Sequence, residues 1–142
     1  MKAIFIDTNI LIDFLADRKP FSEDAARLFD LSCKSKIRIY VSAVSYNNIY
    51  YILRQSNSHP AAVKILTELS AWTEVLDVSK IILSKALESD FKDFEDSIQY
   101  QCALSNPEIE LIVTRDSKHF KASTLPVLNA KEAFVRIDQF EK

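Results

Sequence analysis

Short apolar runs alternate along this chain with longer stretches in which apolar residues recur every three or four positions. Runs of the first kind predict buried strands, and stretches of the second predict amphipathic helices. Residues 3–7 (AIFID) read as a strand, after which Thr8 or Asn9 is placed to cap a helix running to Ala16. A second helix is predicted over 22–34, where Ser22, Glu23 and Asp24 supply the chemistry that helix N-termini favour. Residues 37–41 (IRIYV) read as the next strand, and 42–54 as a helix with an apolar stripe through Val44, Ile49, Ile52 and Leu53. Pro60 suits the first turn of a helix ending near Ala71, and His59 before it reads as a loop residue.

The second half continues the alternation. A short strand over 74–78 precedes a helix capped by Ser79 and ending at Leu87, and an amphipathic helix spans 93–104. Residues 110–114 (ELIVT) make the most apolar strand of this half, followed by a helical turn over 116–120, a strand near 126–128 and a last helix from Ala130. Strands separated by helices imply βαβ units and a parallel sheet covered on both faces. The expected fold is α/β, three layers in the order α/β/α around a mostly parallel sheet, with residues 1–142 forming one domain.

Composition narrows the function. The formal net charge is -2, so a broad basic surface for nucleic acid is excluded, and any such contact must be local or depend on a metal. Glycine is absent, which removes both the Walker loop and the GxGxxG dinucleotide fingerprint. Asn57 and Asn106 then stand where glycine would close helices. Cys33 and Cys102 fall within apolar helical patterns and read as buried free thiols, which suits a reducing cytoplasm. The first apolar stretch is broken by Asp7, Asn9 and Asp13 with no cleavage site after it, and no apolar run nears the ~20 residues of a membrane helix. A cytoplasmic protein without a membrane span is expected.

Binding groups collect at the carboxyl ends of parallel strands. Asp7 ends the first strand, and Asp116 follows the ELIVT strand by two residues. Asp93 and Asp96 stand one turn apart at the start of the helix that feeds into it. Each has a structural reading of its own: Asp7 as a helix cap, Asp93 as a favourable charge on a helix dipole, Asp116 as a turn residue. Asp96 borders an apolar face, where a carboxylate is costly unless it is paired or bound to a metal. The coincidence of position carries the argument. Clustered carboxylates repel, and such oxygen ligands favour Mg²⁺ or Mn²⁺ and metal-assisted phosphodiester hydrolysis.

Three blocks carry a family resemblance. Phe5 to Asp13 (FIDTNILID) resembles the opening strand and helix of PIN domains; Asp93 to Tyr100 (DFEDSIQY) resembles their D-F-E-D-A-h-Q-Y helix. Ile112 to Phe120 (IVTRDSKHF) resembles their T-R-[ND]-x-x-[DH]-F block. The resemblance implies a PIN-like fold and an Mg²⁺- or Mn²⁺-dependent ribonuclease, with RNA as substrate and, as in VapC-type toxins, an antitoxin partner. It assigns Asp7, Asp96 and Asp116 to the metal site, with Asp93 as a neighbour. Thr8 and Asn9 would orient the first acid, and Thr114 and Arg115 would support the last. One position departs from the pattern: Asn48 stands where many members carry a metal-binding Glu, so metal affinity should fall.

Other residues are read more simply. His119, three residues after Asp116, either faces the site or is a partly exposed surface histidine. Trp72 and the five tyrosines could form a stacking set for bases, although packing suits most of them better. The apolar helix pair 49–53 and 63–69 offers a face for a homodimer. Beside the ribonuclease stand two alternatives: a catalytically weakened PIN-like module that binds RNA or a protein, and a phosphatase or flap-type DNA nuclease using the same acids.

Overall fold

The computed structural model describes residues 2–140. Five strands, β1 (Lys2–Ile6), β2 (Ile37–Ser42), β3 (Glu74–Leu76), β4 (Ile109–Val113) and β5 (Val127–Leu128), form one sheet in the order β3-β2-β1-β4-β5. Every neighbouring pair is parallel. Between the strands run α1 (Thr8–Leu15), α2 (Ser22–Cys33), α3 (Ala43–Leu53), α4 (His59–Trp72), α5 (Lys80–Glu88) and α6 (Phe94–Leu104). A 3₁₀ turn (Ser117–Phe120) precedes β5, and α7 (Ala130–Phe140) closes the described chain. The expected α/β fold is the one observed.

The two faces of the sheet take alternate residues, as the pleat requires. Ile4, Ile6, Ile39, Val41, Leu111 and Val113 pack on one side with Leu11, Leu28, Ile49, Leu69 and Ile137 from α1, α2, α3, α4 and α7. Phe5, Tyr40, Ile109 and Ile112 pack on the other with Ile82 of α5 and Ile98 of α6. Ile109 and Leu111 are two apart yet face opposite layers, because a register shift between Ala3 and Ile4 leaves Glu110 as the extra residue. Each fully buried Ile, Leu or Phe contributes roughly 1.5–3 kcal/mol. These two apolar layers hold the sheet in place.

Several local expectations need correction. Asp7 is the N-cap of α1, as the structural reading of that residue expects, and Thr8 and Asn9 lie inside the helix; α2 starts at Ser22 as expected, after Phe21 in the cap position. His59 is no loop residue: Ser58 caps α4 by accepting from the Ala61 N–H at 3.3 Å, which brings His59 into its first turn. The left-handed backbone that glycine would favour falls on Asp17 (φ 48°) and Ser35 (φ 58°), not on Asn57 or Asn106. Those asparagines act through their side chains: Asn57 Nδ2 donates to the Leu53 carbonyl at 2.9 Å, and Asn106 Oδ1 accepts from the Glu108 N–H at 2.9 Å. Cys102 is buried as expected, but Cys33 is exposed. It is the last residue of α2, where the buried stripe of Ala25, Leu28, Phe29 and Leu31 has run out.

Ile49, Leu53 and Leu69 belong to the core, while Val63 remains 42% exposed. Much of the apolar surface expected to form a dimer face is therefore used within the chain. Among the described residues, no helix is long and apolar enough to cross a membrane.

Candidate active site

The strand order places a switch point between β1 and β4. From β1 the chain moves outward through β2 and β3, then returns to the opposite side of β1 as β4. The carboxyl ends of those two strands border a crevice, the usual ligand position in open parallel sheets. Asp7 follows β1 directly, and its N–H extends the ladder to the Val113 carbonyl at 2.9 Å. Its carboxylate is only 3% exposed. Oδ1 accepts from the Thr8 N–H at 2.8 Å, and Oδ2 accepts from the Thr114 hydroxyl at 2.8 Å.

A second source of acids is the start of α6. Asp93 is its N-cap, with Oδ1 accepting from the Asp96 N–H at 2.9 Å, which puts Glu95 and Asp96 in the first turn. Asp7, Glu95 and Asp96 each bring a carboxylate oxygen to within 4.8 Å of the others. Asp116 stands outside this group, with Oδ2 accepting from Asn9 Nδ2 at 3.0 Å and its N–H donating to the Thr114 hydroxyl at 3.1 Å. Its charge still reaches Asp96 and raises that carboxyl. Asp93 is exposed and occupied as a cap.

The supports follow expectation only in part: the Thr8 N–H holds Asp7 and the Thr114 hydroxyl accepts from the Asp116 N–H, while two further contacts cross. Asn9 holds Asp116, the last acid, and Thr114 holds Asp7, the first. Arg115 neutralises none of the site acids. Its Nε lies 2.7 Å from Oδ2 of the fully buried Asp13, NH2 donates to Oδ1 at 3.2 Å, and the guanidinium covers the Phe21 ring at 4.3 Å. Only its backbone N–H turns toward the site, reaching Asn9 Oδ1 at 3.4 Å. Behind the acids, Gln99 Nε2 donates to the Thr8 and Ser45 hydroxyls at 3.0 Å each, which ties α1, α3 and α6 together.

Electrostatics follow from that crowding. Burial pushes the Asp7 carboxyl up to about 7, with Asp96 and Glu95 adding to the rise and the Thr114 and Thr8 hydrogen bonds opposing it. Glu95 is raised by burial, then by the charges of Asp96 and Asp93. Asp96 is raised by burial and by Asp93, against the pull of His119, whose Nδ1 lies 3.1 Å from Asp96 Oδ2. Among the described residues no lysine or arginine forms an ion pair with Asp7, Glu95, Asp96 or Asp116.

Glu95, Ser45 and Gln99 were not singled out from sequence. Glu95 could have been, because it adjoins Asp96 in the first turn and lies four residues before Gln99, on one helix face. Asn48 faces Glu95, donating from Nδ2 to Oε2 at 2.8 Å. A cleft of about 410 Å³ opens beside Asp96 and carries Lys92, Lys118, Lys121 and His119. Another of about 390 Å³ opens beside Asp116 and carries Arg115 and Lys131. Positive charge is thus local to the acids. Of the residues considered for base stacking, Tyr40 and Tyr100 are buried, and Trp72 packs edge-on against Phe14.

Comparison with known proteins agrees with this architecture. Ribonuclease VapC1 of Aquifex aeolicus (strain VF5) is 25% identical over 134 residues, which is 91% of this chain and 91% of that protein. The crystal structure of Mycobacterium tuberculosis VapC20, a toxin that cleaves the sarcin-ricin loop, superposes with a TM-score of 0.65 at 19% identity, covering 84% of this chain and 94% of that one. VapBC2 from Rickettsia felis, bound to a DNA fragment from its promoter, gives a TM-score of 0.65 at 16% identity, covering 89% of this chain and 97% of that one. The PIN domain matches residues 3–118, a span that includes β1, the acid-bearing start of α6, and β4. By that match, the chain belongs to the PIN-domain family.

Proposed function

We propose that this chain is an endoribonuclease dependent on Mg²⁺ or Mn²⁺, and the toxin of a toxin–antitoxin pair. One observation carries the reading: Asp7, Glu95 and Asp96 converge within 4.8 Å, and among the described residues no lysine or arginine forms an ion pair with them. The donor set is oxygen alone, which fits a hard divalent cation and not zinc. A bound Mg²⁺ or Mn²⁺ supplies Lewis acidity and a water of lowered pKa. Asp7, Glu95 and Asp96 would hold it, with Asp116 at the rim. Lys92, Lys118 and Lys121 line the adjoining cleft, where they can hold the phosphates on either side of the scissile bond. His119 orients Asp96 through its Nδ1 contact. VapC1 is named a ribonuclease and VapC20 a sarcin-ricin loop cleaving toxin, which supports RNA as substrate; a similar fold in a toxin-antitoxin complex from Klebsiella pneumoniae supports an antitoxin partner.

Purified protein should cut RNA in the presence of Mn²⁺, and Asp7→Asn should slow cutting by more than about 100-fold. An unchanged rate in excess EDTA would overturn the reading. One observation favours a second reading, a PIN-like module that binds RNA or a protein without cutting: Asn48 supplies a neutral amide where many members carry a carboxylate. Calorimetry that found no Mn²⁺ binding at millimolar concentration would select it.

A further inference from the structure

Asn48 and Glu95 lie on different helices, 47 positions apart, yet their side chains meet at 2.8 Å. A carboxylate only accepts hydrogen bonds, so the amide edge facing it must be the NH₂ group. Asn48 therefore donates to Glu95 and turns its own carbonyl oxygen elsewhere. Glu95 is half-buried, has no lysine or arginine partner among the described residues, and brings an oxygen within 4.8 Å of Asp7 and Asp96. A second carboxylate at position 48 would face the first across that short distance with nothing to separate the charges. A neutral donor is the compatible neighbour. It also restricts the long, flexible glutamate to one rotamer beside the other acids.

We propose that Asn48 is a positioning residue that holds Glu95 as an anionic metal ligand, so that this amide–carboxylate pair replaces a carboxylate at position 48. Position 48 then contributes a hydrogen-bond donor to Glu95 in place of a second carboxylate. This inference rests on the divalent-metal reading, and the test separates the two. Mn²⁺ dissociation constants are measured by calorimetry for the parent, Asp7→Asn, Glu95→Gln, Asn48→Ala and the Asn48→Ala/Glu95→Gln double variant, with melting curves to check folding. Glu95→Gln should weaken Mn²⁺ binding by about 10–100-fold and Asn48→Ala by about 10-fold. The double variant should bind no more weakly than Glu95→Gln alone, because Asn48 acts only through Glu95. The exchanged variant Asn48→Glu/Glu95→Gln should recover most of the loss, a rescue that a merely structural asparagine would not give. Asn48→Leu, close in shape but without a donor, replaces Asn48→Ala if the latter unfolds. Parent-like binding by Glu95→Gln while Asp7→Asn fails to bind would overturn this inference and leave the metal reading intact. Parent-like binding by Asp7→Asn would overturn both. Equal losses from Asn48→Ala with and without Glu95 would show that Asn48 acts independently, which also overturns it.

Discussion

Asp7 shows how one side chain serves two purposes. It caps α1 and faces the other acids, and each of its oxygens has a single hydrogen bond. Burial holds its carboxyl near 7, against an ordinary 3.8. Between about pH 4 and 7 the unfolded chain releases this proton while the folded chain keeps it, so rising pH favours unfolding across that window. Above the folded value both states are ionised and the loss stops growing. The metal-free parent should therefore melt progressively below Asp7→Asn as pH rises from about 4 to 7, with the gap constant beyond. Parallel melting curves would refute that assignment. At the proposed metal site Mn²⁺ would displace the same proton, so affinity should rise about tenfold per pH unit below 7 and level off above it. At this scale, sequence spacing was enough to mark Asp7 and Asp96 as candidates. Glu95 had a local signal in its place beside Asp96, but its contact with Asn48 is made only by folding.

At the scale of elements, the site is held by what joins α1, α6 and the end of β4. The Asp13–Arg115 pair is one such link, with Asp13 fully buried and Arg115 partly covered by its contact with Phe21. Burial raises the Asp13 carboxyl, against the opposing charges of Arg115 and Arg18. Removing Arg115 would strand a carboxylate inside the protein, so Arg115→Ala should cost about 3–5 kcal/mol in urea unfolding. A loss below about 1 kcal/mol would mean that Asp13 is hydrated or protonated instead. Sequence periodicity located every helix and strand to within a few residues, since burying apolar residues at a fixed period is a local property. Caps were less legible. Ser22 starts α2 as its chemistry suggests, but the cap position falls to Phe21, which makes no side-chain cap hydrogen bond.

For the whole molecule, the order β3-β2-β1-β4-β5 decides where chemistry can occur, because it leaves a crevice between the ends of β1 and β4. The helices on both faces keep those ends in register. Ile137 of α7 is fully buried in the layer that also contains Ile4 and Leu28. Ile137→Ala should therefore cost about 2–5 kcal/mol, read from denaturant midpoints, although α7 lies beyond the residues matched by the family. A negligible change would show that α7 is not an integral part of the fold. Thiol accessibility gives a second global check: one equivalent of Ellman's reagent should react quickly with the native protein at Cys33, and Cys102 should react only on unfolding. By itself, the sequence determined the α/β class, the sequence of elements and the candidate acids Asp7, Asp96 and Asp116, because apolar period and strand-end position are written in neighbouring residues. Only the tertiary structure decided that Glu95 joins Asp7 and Asp96 while Asp116 stays at the rim, and that Arg115 serves Asp13. Those pairings depend on distances between segments as far as 107 positions apart, which strand order and helix packing set and no local pattern records.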